Sequence, residues 1–179
     1  MRISGIDESS DQTIRNAFTT AFAHYDLYIP FFEKGVGLLK LNGVLSFISP
    51  NKYLTKRYGI KLREFLLNST CLLELVDTSQ AKTFDTASVY PVITILSKRL
   101  YESGHQTKVT VLDDSNFKLY FENINSAGSY YVMPEEFREN DDFSFDIFVK
   151  PEVRRIFSRF KTDSNNVGSY TRILPGTPA

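Results

Sequence analysis

The spacing of apolar residues in the first part of the chain predicts three helices. Apolar side chains recur there every three or four residues, which is the period of a helix that buries one face. The segments with this spacing are residues 10–23, 26–40 and 55–68. Asp26 is the expected N-cap of the second helix, and Asn42-Gly43 is expected to mark the break after it.

Short apolar runs rich in β-branched and aromatic residues predict strands, the first of them buried. They lie at residues 44–49, 71–77, 88–97, 108–112, 117–122 and 130–133. No helical pattern separates 71–77 from 88–97, whereas a parallel pair of strands normally needs a crossover helix. The strand at 88–97 is therefore expected to run antiparallel to its neighbours. Helices that alternate with strands indicate an α/β sheet, followed here by a β-rich segment and a short basic helix at 151–161.

Composition narrows the classes of protein to which the chain can belong. Lys and Arg number 21, as do Asp and Glu, and this zero formal charge argues against strong DNA binding by the chain alone while leaving room for a local basic patch. The single cysteine, Cys71, excludes an internal disulfide, suits a reducing cytoplasm and lies in an apolar run that predicts a buried thiol. One cysteine and two histidines do not form the usual kind of zinc site, and no apolar stretch approaches the about 20 residues that span a membrane.

Two loops of the predicted sheet are expected to face one cleft. In an open α/β sheet, ligands bind beyond the carboxyl ends of the parallel strands, and the loops at 50–59 and 77–87 leave from such ends. The second loop carries Phe84 between polar residues. The residues alone leave two interpretations of this ring open: an anchor that packs into the core, or a platform on which an extruded nucleobase stacks.

The first of these loops and the helix after it are rich in basic residues. The cations are Lys52, Lys56, Arg57, Lys61 and Arg63. They can form a solvated helix face, or they can contact DNA phosphates, which position a protein on the duplex without reading its sequence. Lys52, Lys56 and Arg57 lie nearest the predicted cleft and are therefore the candidates for phosphate contacts.

The helix at 26–40 carries two apolar stripes. Their members are Ile29, Phe32, Val36 and Leu39 on one side, and Tyr28, Phe31, Gly35 and Leu38 on the other. A helix that is apolar on more than one side is either deeply buried or contacts both a sheet and a ligand. Both phenylalanines are core residues in the first case, and the helix contacts a ligand in the second.

The run from Asp26 to Ser97 carries a resemblance to a known family. It contains DLYIPFF, SFISPNKYL, LLELVD and FDTASVYPVITILS in that order. It resembles the second half of the methyltransferase domain in N6-adenine DNA methyltransferases of Type II restriction–modification enzymes, with the TaqI-like, gamma order of motifs. The resemblance implies a partial Rossmann-like S-adenosylmethionine methyltransferase sheet whose last strand is antiparallel. It also implies methyl transfer from S-adenosylmethionine to a flipped-out adenine of double-stranded DNA.

The resemblance assigns roles to two phenylalanines. In the family, a helix that begins Asp/Asn-Leu-Tyr-x-x-Phe packs its Phe against the adenine ring of S-adenosylmethionine, and the matching residue is Phe31. An aromatic residue in the loop before the last strand stacks on the flipped adenine, and the matching residue is Phe84. Tyr90 is the second candidate for that stack, although its place in the predicted strand favours core packing.

The family's catalytic Asn-Pro-Pro-Tyr/Phe tetrapeptide is missing, because the chain contains no Pro-Pro pair. We therefore expect a fragment of such an enzyme that transfers no methyl group by itself. The alternative is a non-catalytic DNA- or protein-binding module derived from one.

Three parts are expected along the chain. Residues 1–98 resemble the C-terminal half of the methyltransferase domain, 99–150 a β-rich connector, and 151–179 a helix and the start of a target-recognition domain. Half a sheet leaves an edge strand unpaired, so a homodimer formed through that edge is also expected as an option.

Overall fold

The computed structural model describes residues 6–81, 90–122 and 128–149, together with Val153 and Ile156, which are both helical. The predicted helix at 151–161 otherwise lies outside the described residues. The chain divides into two compact units, Met1–Ile147 and Phe148–Ala179. The elements of the first unit are α1 (Glu8–Ala17), α2 (Tyr28–Leu38), β1 (Val44–Pro50), α3 (Ile60–Ser69), β2 (Cys71–Gln80), β3 (Pro91–Ser97), β4 (Thr107–Asp113), α4 (Phe117–Phe121), β5 (Ser129–Val132) and α5 (Pro134–Arg138).

Five strands of the described residues form one sheet, in the order β1-β3-β2-β4-β5. β3 lies between β1 and β2 and is antiparallel to both, so the predicted reversal of this strand is confirmed. β4 runs parallel to β2, and β5 is antiparallel to β4. The predicted α/β class is confirmed, and the β-rich segment adds its strands to the same sheet.

The helices α2 and α3 pack on one face of the sheet. The fully buried residues of this contact include Ile29, Phe32, Leu62, Leu66, Leu75, Val92, Leu96 and Val109. The Phe32 ring lies 4.8 Å from the Phe47 ring and 5.4 Å from the Tyr53 ring. Burial of a side chain of this size contributes about 1.5–3 kcal/mol. The core therefore fixes the position of α2, whereas Phe31 and Leu38 of its second apolar stripe are exposed.

The first and third helices are shorter than their periodicity predicts. α1 ends before Phe18, whose backbone is extended, and not at residue 23. Ahead of α3 the chain forms two 3-10 turns, Asn51–Leu54 and Arg57–Gly59, and we call residues 51–59 the basic turn. α3 therefore begins at Ile60 and not at residue 55. A 3-10 turn repeats every three residues, so apolar spacing alone does not separate it from an α-helix.

The predicted N-cap of α2 is wrong. Leu27 occupies that position and makes no side-chain capping hydrogen bond. The Asp26 carboxylate instead accepts a hydrogen bond from the Tyr58 hydroxyl at 3.1 Å. This partner lies more than thirty residues along the chain, so local spacing does not reveal it.

Two apolar runs differ from their predicted burial or type. β1, predicted as a buried strand, has alternating exposed side chains because it lies at the edge of the sheet. The run at 117–122, predicted as a strand, forms α4. In the turn that leads into α4, the Asp113 side chain accepts hydrogen bonds from two backbone N–H groups. Within α4, the Phe117 and Phe121 rings lie 5.1 Å apart. An apolar run this short has no period that distinguishes a helix from a strand.

The thiol of Cys71 is buried at the start of β2, as predicted. Burial raises the pKa of this thiol, which disfavours the reactive thiolate. In the described part of the chain, no helix is long and apolar enough to cross a membrane. The same residues contain no group of three or more His, Cys, Asp or Glu side chains that could hold a metal ion.

Candidate functional site

The carboxyl ends of β1 and β2 meet at one edge of the sheet. Both strands are antiparallel to β3, so both end beside its start. On the β1 side the Asn51 N–H donates to the Tyr90 carbonyl at 2.8 Å, and on the β2 side the Thr78 hydroxyl donates to the Pro91 carbonyl at 3.0 Å. The strand ends from which the two predicted loops leave therefore share an edge, although β2 continues to Gln80 and residues 82–87 of the second loop lie outside the described residues. We call this place the strand-end edge.

The amino end of α2 joins the strand-end edge through the basic turn. Tyr58 of the basic turn donates to the Asp26 carboxylate, and its oxygen lies 2.9 Å from the Tyr28 hydroxyl oxygen. Burial is the main cause that raises the pKa of Tyr28 well above its ordinary value, and it raises the pKa of Tyr58 to about 12. Both hydroxyls are therefore neutral near pH 7. They fix α2 against the basic turn and do not serve as general bases.

The basic turn presents three cations to solvent. Lys52, Lys56 and Arg57 are exposed, and the ion pairs that the described residues form involve other cations. Lys61, by contrast, lies on α3 and pairs with Glu64 at 2.7 Å. Lys52 and Arg57 lie in the two 3-10 turns and Lys56 lies between them, so a solvated face and a contact to DNA phosphates both stay open as interpretations. The three cations remain available to an anionic partner.

Arg63 differs from the other cations of this stretch because its side chain is 0% exposed. The prediction that Arg63 belongs to a basic face, either solvated or in contact with DNA, is therefore wrong. The guanidinium donates to the carbonyl oxygens of Tyr53 at 2.6 Å, Lys56 at 2.9 Å and Asp142 at 2.7 Å. Burial lowers the pKa of Arg63 and the Asp142 carboxylate opposes that effect, so the side chain remains charged. No local signal marks Arg63, because one set of acceptors comes from a segment far along the chain.

The two aromatic candidates that the structure describes, Phe31 on α2 and Tyr90 just before β3, are exposed. Phe31 is 58% exposed, whereas its neighbour Phe32 is 0% exposed, so the interpretation of both rings as core residues is wrong. Tyr90 is exposed at the strand-end edge, and its predicted core packing is wrong because β3 begins one residue later, at Pro91. Phe84 lies outside the described residues.

Asp77 is a residue of this edge that sequence reasoning did not single out. Its side chain is buried near the end of β2, and its two oxygens accept hydrogen bonds from the N–H and hydroxyl of Ser79, both at 3.0 Å. Burial raises the pKa of the Asp77 carboxyl, and the Ser79 hydrogen bonds offset only part of that shift. The sequence signal that could have marked Asp77 is an acidic residue near the end of an apolar strand, directly followed by two hydroxyl residues.

Comparison of the sequence with known families and proteins gives one consistent result. Residues 1–84 match the family described as Eco57I restriction-modification methylase. The Type II methyltransferase M.BstVI of Geobacillus stearothermophilus is 30% identical over 91 residues, which is 50% of this chain and 16% of that protein. The Type II methyltransferase M.PaeR7I of Pseudomonas aeruginosa is 32% identical over 96 residues, 53% of this chain and 16% of that protein. The chain thus spans about a sixth of the length of these curated relatives.

Solved structures share the fold at low sequence identity. The type IIG restriction endonuclease BpuSI superposes with a TM-score of 0.58 at 16% identity, over 93% of this chain and 22% of that chain. A DrdV–DNA complex gives a TM-score of 0.55 at 14% identity, over 82% of this chain and 16% of that chain. A Listeria monocytogenes protein assigned to the class I S-adenosylmethionine-dependent methyltransferases gives 0.51 at 18% identity, over 65% of this chain and 38% of that chain. These structures show a shared fold, and the sequence matches identify Eco57I-like Type II restriction-modification methylases as homologues of this chain.

Proposed function

We propose that this chain is part of an enzyme that methylates the N6 amino group of adenine in double-stranded DNA, within a restriction–modification system. The observation that carries the proposal is the strand-end edge. The ends of β1 and β2, the start of β3 and the amino end of α2 come together there, beside three cations that make no ion pair within the described residues. Homologues that are Type II methyltransferases support the same reaction class. They do not favour the alternative of a non-catalytic binding module.

The proposed cofactor is S-adenosylmethionine, which supplies an activated methyl group on a sulfonium. Phe31 fits a role in holding it, because a large aromatic ring is left exposed on a helix whose opposite stripe is fixed in the core. Its face can cover the adenine ring of the cofactor and exclude water from one side. Tyr28, in the same outward stripe, ties this part of α2 to the basic turn. We also propose that the intact enzyme carries its motifs in the TaqI-like, gamma order.

Phe84 is the proposed platform for the flipped adenine. In the sequence it lies between β2, which ends at Gln80, and Tyr90, whose carbonyl is at the strand-end edge. An enzyme that modifies a base must take it out of the duplex and hold it, and a stack on an aromatic ring is worth about 1–3 kcal/mol. Tyr90 is the second candidate, and its exposure at the same edge now favours it more than its predicted strand position did.

Lys52, Lys56 and Arg57 are the proposed contacts to DNA phosphates. Each neutralised phosphate makes the slope of log affinity against log salt steeper by about 0.9. Replacement of all three by Gln should therefore reduce the slope for a mixed-sequence duplex by about 2.7. Lys61→Gln is the matched control, because Lys61 is also exposed but already pairs with Glu64. Fluorescence anisotropy across a salt series checks the prediction, and an unchanged slope in the triple variant would remove these residues from the DNA contact.

The remaining proposals concern the activity of the isolated chain, its division into parts and its location. We propose that the isolated chain is inactive, because it contains no Pro-Pro pair and hence no Asn-Pro-Pro-Tyr/Phe tetrapeptide. The division into 1–98, 99–150 and 151–179 stays a prediction. A cytoplasmic location is also proposed, since the single cysteine is free and buried.

A further inference from the structure

One side of the Arg63 guanidinium holds the basic turn. Its Nη1 donates to the Tyr53 carbonyl at 2.6 Å and to the Lys56 carbonyl at 2.9 Å. These two acceptors lie within the two halves of the turn, so a single nitrogen joins them. Gly59 makes this approach possible, because a Cβ there would lie 2.3 Å from the Tyr53 carbonyl oxygen and 2.8 Å from Arg63 Nη1.

The other side of the same guanidinium holds a segment some eighty residues further along the chain. Nε and Nη2 donate to the Asp142 carbonyl at 3.1 and 2.7 Å, and Nη2 lies 3.3 Å from the Asp142 carboxylate. The same segment makes a second attachment to the turn, since the Phe145 N–H donates to the Leu54 carbonyl at 2.8 Å. The middle of the turn is thus held both by Arg63, which follows it closely in sequence, and by the distant segment at 142–145.

We infer that Arg63, together with the segment at 142–145, is the positioning element that shapes the basic turn so that Lys52, Lys56 and Arg57 can meet DNA together. The inference rests on the proposed contact between these cations and phosphates. Arg63 itself touches no DNA, because its side chain is 0% exposed. Its contribution to DNA affinity is therefore indirect and passes through the backbone carbonyls that it holds.

The geometry requires a guanidinium and not only a positive charge. A planar fork with five N–H donors satisfies acceptors in two directions at once, whereas the ammonium of lysine is a point charge with three donors. Arg63→Lys keeps the charge but cannot reach the acceptors of both segments from one position. The turn should then open on one side while the core of α2, α3 and the sheet remains folded.

Hydrogen exchange of the full 179-residue chain measures the shape of the turn without DNA. The N–H groups of Thr55, Lys56 and Gly59 donate to carbonyls within the turn. In Arg63→Lys we expect these amides to exchange about tenfold faster or more, while the amides of β3 keep their protection. Lys61→Gln, two residues away on α3, should leave both sets unchanged.

Duplex binding across a salt series measures the consequence. We expect Arg63→Lys to reduce the salt slope by about one or more, in the direction of the triple Gln variant, because at least one phosphate contact is lost. If Arg63→Lys does not fold, Asp142→Ala takes its place; it leaves the Asp142 carbonyl and should give a smaller change of the same sign.

The outcomes separate this inference from the proposed function. If the triple Gln variant leaves the slope unchanged, the proposed DNA contact fails, and hydrogen exchange still judges whether Arg63 shapes the turn. If the triple variant lowers the slope while a folded Arg63→Lys changes neither the exchange rates nor the slope, the inference is overturned. Faster exchange with an unchanged slope overturns it as well, because the turn would then bind DNA without the shape that Arg63 gives it.

Discussion

Phe31 and Phe32 are neighbours in α2 with opposite surroundings. Phe32 packs on Phe47 and Tyr53 in the core, and Phe31 is 58% exposed. Phe32→Ala should destabilise the chain by about 3–5 kcal/mol because it leaves a cavity. Phe31→Ala should change the free energy of unfolding by less than about 0.5 kcal/mol, since nothing packs fully around the ring.

The same pair of variants tests the cofactor role. In the intact enzyme, Phe31→Ala should raise the KM for S-adenosylmethionine by about 2- to 13-fold, which corresponds to the loss of one aromatic contact of about 0.5–1.5 kcal/mol. Leu38→Ala, an exposed residue further along the same helix, is the control and should leave that KM unchanged. Steady-state kinetics decides the matter, and equal KM values for both variants would contradict the assignment of Phe31.

Asp77 should make the stability of the chain depend on pH. Burial raises the pKa of this carboxyl above its unfolded value of about 3.9. As the pH rises above that value, the folded state holds the proton longer than the unfolded state, so stability falls with pH until the folded pKa is passed. Asp77→Asn cannot ionise and should raise the unfolding temperature at pH 7, with a difference that shrinks toward pH about 4. Thermal unfolding across a pH series measures this.

The exposed Asp141→Asn serves as the control for that series, because it removes a carboxyl without touching a buried one. A larger gain for Asp77→Asn at low pH than at neutral pH would reverse the predicted sign and contradict the account.

The local sequence predicted the burial and contacts of these residues only in part. The spacing in α2 separated two stripes correctly, but it did not say which one reaches the core, because that depends on where β1 lies. Arg63 looked like its basic neighbours, since the carbonyls that bury it come from the turn and from residue 142. Tertiary contacts, not local pattern, decide whether a cation is buried.

At the scale of elements, the connection between two strands predicted more than the apolar pattern within one. The reversal of β3 followed from a link without the helical pattern that a crossover needs, and the sheet confirms it. The apolar run at 117–122 carried no comparable constraint and forms α4 and not a strand. Likewise, the burial of β1 could not be read from its composition, because an edge strand and a central strand differ in their neighbours and not in their residues.

The loop between β2 and β3 is the element that should hold the target base. Phe84→Ala in the intact enzyme should lower kcat/KM by about 5- to 160-fold, the equivalent of one lost base stack of about 1–3 kcal/mol. Duplex affinity should change little, since phosphate contacts dominate it. Tyr90→Ala is the matched variant at the same edge, and a loss confined to Tyr90→Ala would transfer the stacking role to that residue.

For the whole molecule, β1 leaves an unpaired edge among the described residues. Val44 and Ile48 are exposed along it, and the seven residues of the strand include no charge to oppose pairing with another strand. We expect the isolated chain to self-associate through this edge, and Ile48→Lys to weaken that association. Sedimentation velocity across the micromolar range measures it, with Leu100→Lys as a control at an exposed residue elsewhere. A wild-type chain that stays monomeric throughout the range would argue against pairing at this edge.

The most direct test of the account is to incubate unmethylated DNA and S-adenosylmethionine with the complete gene product that contains this chain, and to analyse the digested nucleosides by mass spectrometry. We expect N6-methyl-2′-deoxyadenosine from the complete product and none from the isolated 179 residues, which lack the tetrapeptide. The absence of any methylated nucleoside from a folded complete product, or methylation of cytosine in place of adenine, would contradict the proposed function.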